Sequence, residues 1–334
     1  MYMYHSKWQK FRNNRKSFYS LIIFLIIFIF SLTIELYSND KPLLVKYDGQ
    51  YFFPVINSYS ETTFGGDFET EADYLDPYVR NLIEQKGYLI FPLLNYSFDT
   101  INYHLSSPPP TPPSKENILG TDDQGRDVFA RLVYGLRISL IFGLFLTIIS
   151  SIIGVFIGAA SGYLGGAFDL FMQRFIEIWS GLPTIFILII MATFIIPSFW
   201  WLLLIMTLFS WMTLVGPVRV EFLKGRKLEY VLSAKAIGVK ESNIILKHIL
   251  PNSMVAALTF IPFILSNSVI ILTSLDFLGF GLPAGTASLG ELLSQGKNNP
   301  HSPWIGLTTF FTLSFILTLL IFIGEGIRDA FNTE

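Results

Sequence analysis

Long apolar runs, separated by short polar stretches, set the pattern of this chain. A bilayer core of about 30 Å takes about 20 apolar residues in helical form. Six stretches meet or approach that length: Ser17 to Tyr37, Ile138 to Gly162, Leu182 to Pro197 with part of the preceding helix, Phe199 to Val215, Met254 to Leu275, and Ile305 to Gly324. Only Ile196, Pro197 and Ser198 separate the third from the fourth, which predicts a tight turn. The pattern predicts an all-α polytopic membrane protein with six transmembrane helices. The first run could instead belong to a signal peptide, because a basic start precedes it. It is long for that role and no A-x-A cleavage site follows, so an uncleaved anchor is expected.

One stretch breaks the pattern. EYVLSAKAIGVKESNIILKHILPN, residues 229–252, mixes polar and apolar positions between the fourth and fifth apolar runs. Its periodicity predicts a helix starting near Leu228, with Val231, Ala234, Ile237 and Gly238 on one face. Ala234 and Gly238 make that face shallow enough for another backbone to approach. After a Val-Lys-Glu linker, Ser242 is placed to cap a second helix with Ile245, Leu246, Ile249 and Leu250 as its apolar stripe. Pro251 then disturbs the helix as the chain re-enters the membrane. An amphipathic connector on anionic lipid and a protein-docking knob, small residues in the contact and charges at the rim, both fit.

The segment between the first two runs is nearly a hundred residues long, too long for a hairpin. YDGQYFFPVI has aromatic and β-branched residues suited to strand. DPYVRNLIEQKGYLIFPLL predicts a short helix after Asp76, with Pro77 in its first turn and Gly87 as its stop. SSPPPTPPS, 106–114, is a polyproline-type spacer. A small surface decoration and a docking surface for a soluble partner both fit this insertion. In LGTDDQGRDVFARLVYGLRISL, Asp123-Gln124-Gly125 is turn chemistry and Asp127 an N-cap. Val128, Leu132 and Leu136 then share a face, which reads as an interfacial helix whose Arg126, Asp127 and Arg131 are satisfied at the membrane surface.

Charge orients these pieces. Lys7, Lys10, Arg12, Arg15 and Lys16 precede the first run without an acid, while residues 35–127 hold 15 of the 25 acids and 6 of the 23 bases. The basic start places the N-terminus in the cytoplasm, and alternation puts the long insertion and residues 276–303 outside. The 229–252 region then lies inside, as does the terminal GIRDAFNTE. Arg219, Lys224, Arg226, Lys227, Lys235, Lys240 and Lys247 outnumber Glu221, Glu229 and Glu241 around that loop, in keeping with the positive-inside rule. Arg131 and Arg137 fall on the other side, next to a long acidic segment where the rule acts weakly.

Composition removes several chemistries. With 14% charged residues against roughly 25% in soluble domains, the chain belongs in a membrane. It has no cysteine and four scattered histidines, so no metal site is predicted. No G-x-x-x-x-G-K-[ST] occurs to cradle ATP phosphates, and Gly279, Gly281 and Gly285 read as turns. No ionisable residue falls near the centre of a span, which disfavours coupling to an ion gradient. No convergent catalytic set is evident, so the chain is expected not to be an enzyme.

Gly238 followed by Leu250-Pro251, with Ala234 four residues before the glycine, resembles the EAA loop of ATP-binding-cassette importer permeases. Leu232 and Ser233 stand where the family name expects Glu and Ala, and His248 where Ile is common. LGTDDQGRDVFARLVYGLRISL, DFLGFGLPAGTASLGELLSQGKN, PWIGL and GEGIRDAF resemble the C-type permeases of oligopeptide, dipeptide and nickel importers. The insertion resembles the Yej-type branch, whose importers take up oligopeptides and microcin C.

The resemblance implies the type I importer permease fold in a bacterial inner membrane, with both termini cytoplasmic and a periplasmic insertion. Its implied divisions are 1–37, with the first helix; 38–135, with the insertion and interfacial helix; and 136–334, a five-helix core whose coupling loop spans about 216–252. The implied partners are a homologous B-type permease, two ATP-binding cassette domains at the 229–252 loop, a periplasmic peptide-binding protein and an oligopeptide cargo, with no nucleic acid. ATP and Mg would be used by the partner subunits and no cofactor by this chain. Coupling is expected through Ser233, Ala234, Lys235, Gly238, Lys240, Glu241, Leu250 and Pro251, with Gly238 acting by close backbone approach. Gly154, Gly158, Trp179 and Phe280 are candidates for the cargo path, with helix packing as their other reading. An importer of dipeptides or nickel, an exporter subunit, a receptor with a separate output domain and a membrane-embedded enzyme stay open on the residues alone.

Overall fold

The computed structural model describes residues 2–105 and 107–331, with residues 2–6 described for backbone alone. Ser106, which opens the proline spacer, and the last three residues of the terminal motif lie outside the described residues. The chain divides into two compact units. One comprises Met1–Ile26, Ser139–Pro283 and Leu313–Glu334; the other comprises Ile27–Ile138 and Ala284–Thr312. The second unit therefore takes in residues 284–312, which the sequence reading assigned to the core.

Helices α1 (Tyr2–Asn13) and α2 (Arg15–Leu32) open the chain. In the insertion, β1 (Leu44–Tyr47) and β2 (Gln50–Phe52) form an antiparallel hairpin. Asp48 and Gly49 turn it with φ of 47° and 80°, the pair of positive values that a two-residue turn between right-twisted strands needs. Helix α3 (Pro77–Lys86) starts where predicted: Asp76 accepts the Tyr78 backbone N–H at 2.8 Å. It stops at Gly87, which opens β3 (Gly87–Ile90), and β3 pairs antiparallel with β1 to give the order β2-β1-β3. Val45, Phe64, Tyr74, Val79 and Ile83 are buried between sheet and helix, with Tyr47, Phe52 and Tyr74 edge-on to Phe64. The hairpin falls where YDGQYFFPVI suited strand, within a fold that is mostly helical.

Helix α4 (Val128–Leu164) merges the predicted interfacial helix and second span. Asp127 caps it by accepting the Ala130 N–H at 2.8 Å, and Asn117 donates to its other oxygen at 2.8 Å. Burial pushes the Asp127 carboxyl above the usual range, and the Asn117 and backbone hydrogen bonds oppose that shift.

Arg126, Asp127 and Arg131 are not at a surface. All three are buried, the first at 3% exposure and the others at 0%. Arg126 donates to Asp122 at 2.7 Å and to Glu291 at 3.1 Å. Arg131 donates to the other Glu291 oxygen at 2.6 Å and to the Phe98 carbonyl at 2.9 Å. Glu291 lies on helix Leu289–Asn298, so the two pairs it makes join positions 165 and 160 apart in sequence. Desolvating four charged groups is tolerable only because each has partners in good geometry. Arg137, also unexpected on this side, pairs with Glu35.

Five helices are long and apolar enough to cross a membrane among the described residues, or six counting one bent pair. That pair is α5 (Gly166–Ser180) and α6 (Thr184–Phe194), bent by 68° where Pro183 interrupts the chain. Helices α7 (Phe199–Ser210) and α8 (Met212–Gly225) form the fourth span. Then come α9 (Glu229–Ala236), α10 (Glu241–Asn243), α11 (Leu250–Phe277), α12 (Leu289–Asn298) and α13 (Pro303–Phe331).

Close helix contact in the first unit rests on small residues. A Cβ on Gly154 would lie 2.5 Å from the Trp211 carbonyl oxygen, and one on Gly158 would lie 2.8 Å from that of Val215. Gly162, one turn further, faces the Arg219 carbonyl at 2.5 Å. This stripe at intervals of four lets α4 lie directly on α8, the packing that small residues permit inside a bilayer.

Two outcomes follow. Arg131→Ala, which removes one buried guanidinium from the network it shares with Asp122, Arg126 and half-buried Glu291, should cost roughly 3–5 kcal/mol and lower the urea midpoint for protease cleavage within the insertion; an unchanged midpoint contradicts this. Gly158→Leu should lower the thermal midpoint of the purified protein by overpacking, at about 1–3 kcal/mol or more, whereas Gly216→Ala, which meets open space, should not.

Candidate functional site

The loop between α8 and α11 is built with one fixed side and one free side. Val231 of α9, Ile244 and Ile249 are each at most 1% exposed. They pack with Leu214, Val218 and Phe222 of α8, Tyr163 of α4 and Ala257 of α11. Burying three such side chains contributes roughly 1.5–3 kcal/mol each. Polar contacts reinforce the attachment. Arg226 donates to the Tyr163 carbonyl at 3.2 Å, and the Lys235 Nζ lies 4.8 Å over the Tyr163 ring. Arg219 grips Asp169 of α5 with two hydrogen bonds, at 2.5 and 2.7 Å.

Helix α9 ends in a Schellman motif. Gly238 N–H donates to the Lys235 carbonyl at 3.0 Å, and Val239 N–H to the Ala234 carbonyl at 3.0 Å. Gly238 has a φ of +83°, a conformation that disfavours any residue with a Cβ. No described atom outside its immediate neighbours lies within 4 Å of where that Cβ would be. Within this chain Gly238 is thus required by its backbone angle, and the space beside it is open.

Lys240, rather than Ser242, occupies the position before α10, and no side chain caps it. The chain from Ile244 to Ile249 is a π-helical turn leading into α11. Pro251 supplies the reason: it has no N–H for the carbonyl of Lys247 and its ring crowds that carbonyl, so the preceding turn widens.

The free side carries most of the predicted coupling residues. Ser233, Lys235, Gly238, Lys240, Glu241 and Pro251 are exposed, whereas Ala234 and Leu250 are half-buried against the apolar cluster. Ile237 was expected beside Val231 and Ala234 but is 82% exposed. The helix stops at Ala236, so Ile237 is its C-cap and no longer follows the helical face. Leu232 and Leu246 are exposed on the same loop. Ile237 was placed on the inner face by counting a continuous helix through it, and Leu246, expected in the apolar stripe of the second helix, is 58% exposed. The local Ile-Gly pair, marking a helix end, is the signal that corrects the helix count.

The path candidates fall in different settings. Gly154 and Gly158 lie in the α4–α8 contact described above. Trp179 sits in a column of near-parallel rings, 5.5 Å from Phe175 and 5.7 Å from Phe209, and Phe175 continues it to Trp211 at 6.5 Å. The Trp179 and Trp211 indoles both donate to the Leu208 carbonyl, at 3.0 and 2.9 Å. Phe280 is half-buried just beyond α11, its N–H donating to the Leu275 carbonyl at 2.9 Å. Gly279 and Gly285 have φ of +80° and +89°, as turn residues do. Among the described residues no group of His, Asp or Glu could hold a metal ion.

Residues 150–333 match the family described as binding-protein-dependent transport system inner membrane component. The inner membrane ABC transporter permease protein YejE of Escherichia coli is 54% identical over 327 residues, covering 98% of this chain and 96% of that protein. The peptidoglycan transport system permease protein YejE of Agrobacterium fabrum is 49% identical over 350 residues, 98% of this chain and 92% of the relative. The oligopeptide transport system permease protein OppC of Bacillus subtilis is 34% identical over 227 residues, 67% of this chain and 73% of the relative. With several helices long and apolar enough to span a membrane among the described residues, a family match over residues 150–333 and a relative matched nearly end to end, this chain belongs to the binding-protein-dependent transport system inner membrane component family.

Proposed function

We propose that this chain is the membrane-spanning subunit of an ATP-driven importer of oligopeptides, and that its 229–252 loop is where separate ATPase subunits dock. The observation that carries this reading is the loop's two-sided build: buried Val231, Ile244 and Ile249 fix it to the membrane helices, while exposed Ile237 tips a surface rimmed by Lys235, Lys240 and Glu241. An exposed apolar residue ringed by charge is the usual anatomy of a protein contact. A loop on lipid would have no need of so firm an attachment.

The mechanism is mechanical on this side. Hydrolysis takes place on the partner subunits. Their approach displaces the docked loop, and the apolar cluster carries that displacement into α4, α8 and α11. The Arg219–Asp169 pair carries it into α5. The bend between α5 and α6 gives one span freedom to reorient. Access to the cargo path then alternates between the two faces of the membrane.

The excess of bases around the loop supports a cytoplasmic position for it, with the insertion on the opposite, binding-protein side. A homologous second permease would complete the path. Oligopeptides are the cargo named for the OppC relative, and near-complete coverage favours the Yej branch, for which the sequence resemblance also implies microcin C. The name of the Agrobacterium fabrum relative favours a second reading of the cargo, peptidoglycan. Competition by each cargo in an uptake assay separates the two.

Ile237→Asp should fold normally, since Ile237 is 82% exposed, yet reduce recovery of the ATPase subunits with the purified permease at least tenfold. Full recovery of the ATPases contradicts the docking surface. Gly238→Leu should abolish uptake while leaving membrane insertion intact, because a left-handed Leu costs about 1–2 kcal/mol and reshapes the loop. Normal uptake by this variant, in cells dependent on the importer, would sink the coupling role.

A further inference from the structure

Taken together, α5 and α6 make one broken span, bent by 68° where residues 181–183 leave the helix. Along the sequence Arg174 and Glu177 precede the third apolar run, but the broken span takes both in. Asp169, gripped by Arg219 near the loop end of α8, stands in the first turn of α5. Arg174 lies about 8 Å and Glu177 about 12 Å further along the helix axis, against a hydrocarbon half-thickness of about 15 Å. Their guanidinium and carboxylate meet at 2.5 Å, and the side chains are 77% and 61% exposed. Ionisable groups inside spans almost always face a water-filled cavity or the protein interior, not lipid. Arg174 is long enough to lean back to the cytoplasmic boundary. Glu177, shorter and a turn deeper, is not.

A second observation is independent of the charges. Gly181, Leu182 and Pro183 lie between the two helices, and all three are exposed. Pro183 has no N–H to give the Trp179 carbonyl, so the helix does not run through. Non-helical backbone at membrane depth is tolerated where it is buried in protein or lines water, not where it meets lipid. Glu177 is one turn before Gly181, so both demands for water fall on one place.

We infer that this end of α5 and its break line the water-filled cargo path, and that Arg174 and Glu177 exchange their mutual pair for the carboxylate and ammonium groups of a passing oligopeptide. An ion pair in water contributes little and opens readily, which suits a contact that must also release its cargo. Opposite charges one turn apart complement a zwitterionic ligand. The ring column through Phe175, Trp179 and Phe209 ties the neighbouring face of α5 to α7, which leaves the charged face free. The inference rests on the importer reading and names a pair of contact residues for its path.

The test uses the full transporter, with its partner permease and ATPases, in lipid nanodiscs. The chain has no cysteine, so a single introduced thiol reports water access through its rate of modification by charged, water-soluble methanethiosulfonates. Ile178→Cys, 73% exposed beside the pair, should react roughly tenfold or more faster than Ile26→Cys, 61% exposed on α2, because a charged reagent does not enter hydrocarbon. Glu177→Gln in the Ile178→Cys background should lower the ratio of cationic to anionic reagent rates about threefold, and Arg174→Gln should raise it as much. A peptide digest of casein in excess should slow the reaction roughly threefold or more, and sucrose should not. Reaction at position 178 no faster than at position 26, with and without ATP, means that lipid or the partner permease covers this face and overturns the inference. An unmoved charge ratio overturns it equally, as does absence of protection by a digest that the wild-type transporter imports. Failure of the wild-type transporter to import the digest, with position 178 still open to water, counts against the importer reading instead, so the two fail separately.

Discussion

Three buried side chains, Val231, Ile244 and Ile249, hold a polar loop against Phe222, Val218 and Tyr163. The loop can act on the membrane helices only through that attachment. A displaced loop does work on the membrane helices only if it is stiffer at its root than at its tip. The root has an apolar cluster, a guanidinium on the Tyr163 carbonyl and an ammonium over the Tyr163 ring. The tip has Ile237 and a glycine that meets open space. The Schellman end at Gly238 sets the direction of the tip, and the π-turn before Pro251 brings the chain back into its span.

The same division between fixed and free recurs inside each unit. In the first, the Gly154, Gly158 and Gly162 stripe locks α4 to α8, while the α5–α6 pair bends at Pro183. In the second, the sheet and α3 close over Phe64, and the Asp122, Arg126, Arg131 and Glu291 ion pairs tie the start of α4 to α12. Buried charges of this kind specify a single arrangement more than they add stability, because desolvation offsets most of their attraction.

Local signals in the sequence were reliable and distant ones were not. Asp76, Pro77 and Gly87 marked the ends of α3 because capping and φ preference act within a few residues. Span positions were legible for the same reason, since hydropathy needs no partner. The strand Gly87–Ile90 was missed: it follows a helix without a break and exists only by pairing with Leu44–Tyr47. Arg126 and Arg131 read as surface residues because Glu291, which makes their burial tolerable, is 160 or more positions away. Ile237 was turned inward by counting two helical steps too many. Most of the coupling residues proved exposed, but the apolar tip beside them was not foreseen.

The chain has no cysteine, so a single introduced thiol reports on one place. The most direct test of the account is proximity cross-linking in native membranes, with Ile237→Cys in the loop and Ile56→Cys, 79% exposed in the insertion, as its counterpart. A thiol-to-amine reagent of short span should join position 237 to an ATPase subunit and leave position 56 unattached to it. Cross-linking of the ATPase through position 56, or at neither position while the ATPase remains bound, would contradict the assignment of the 229–252 loop as the docking surface.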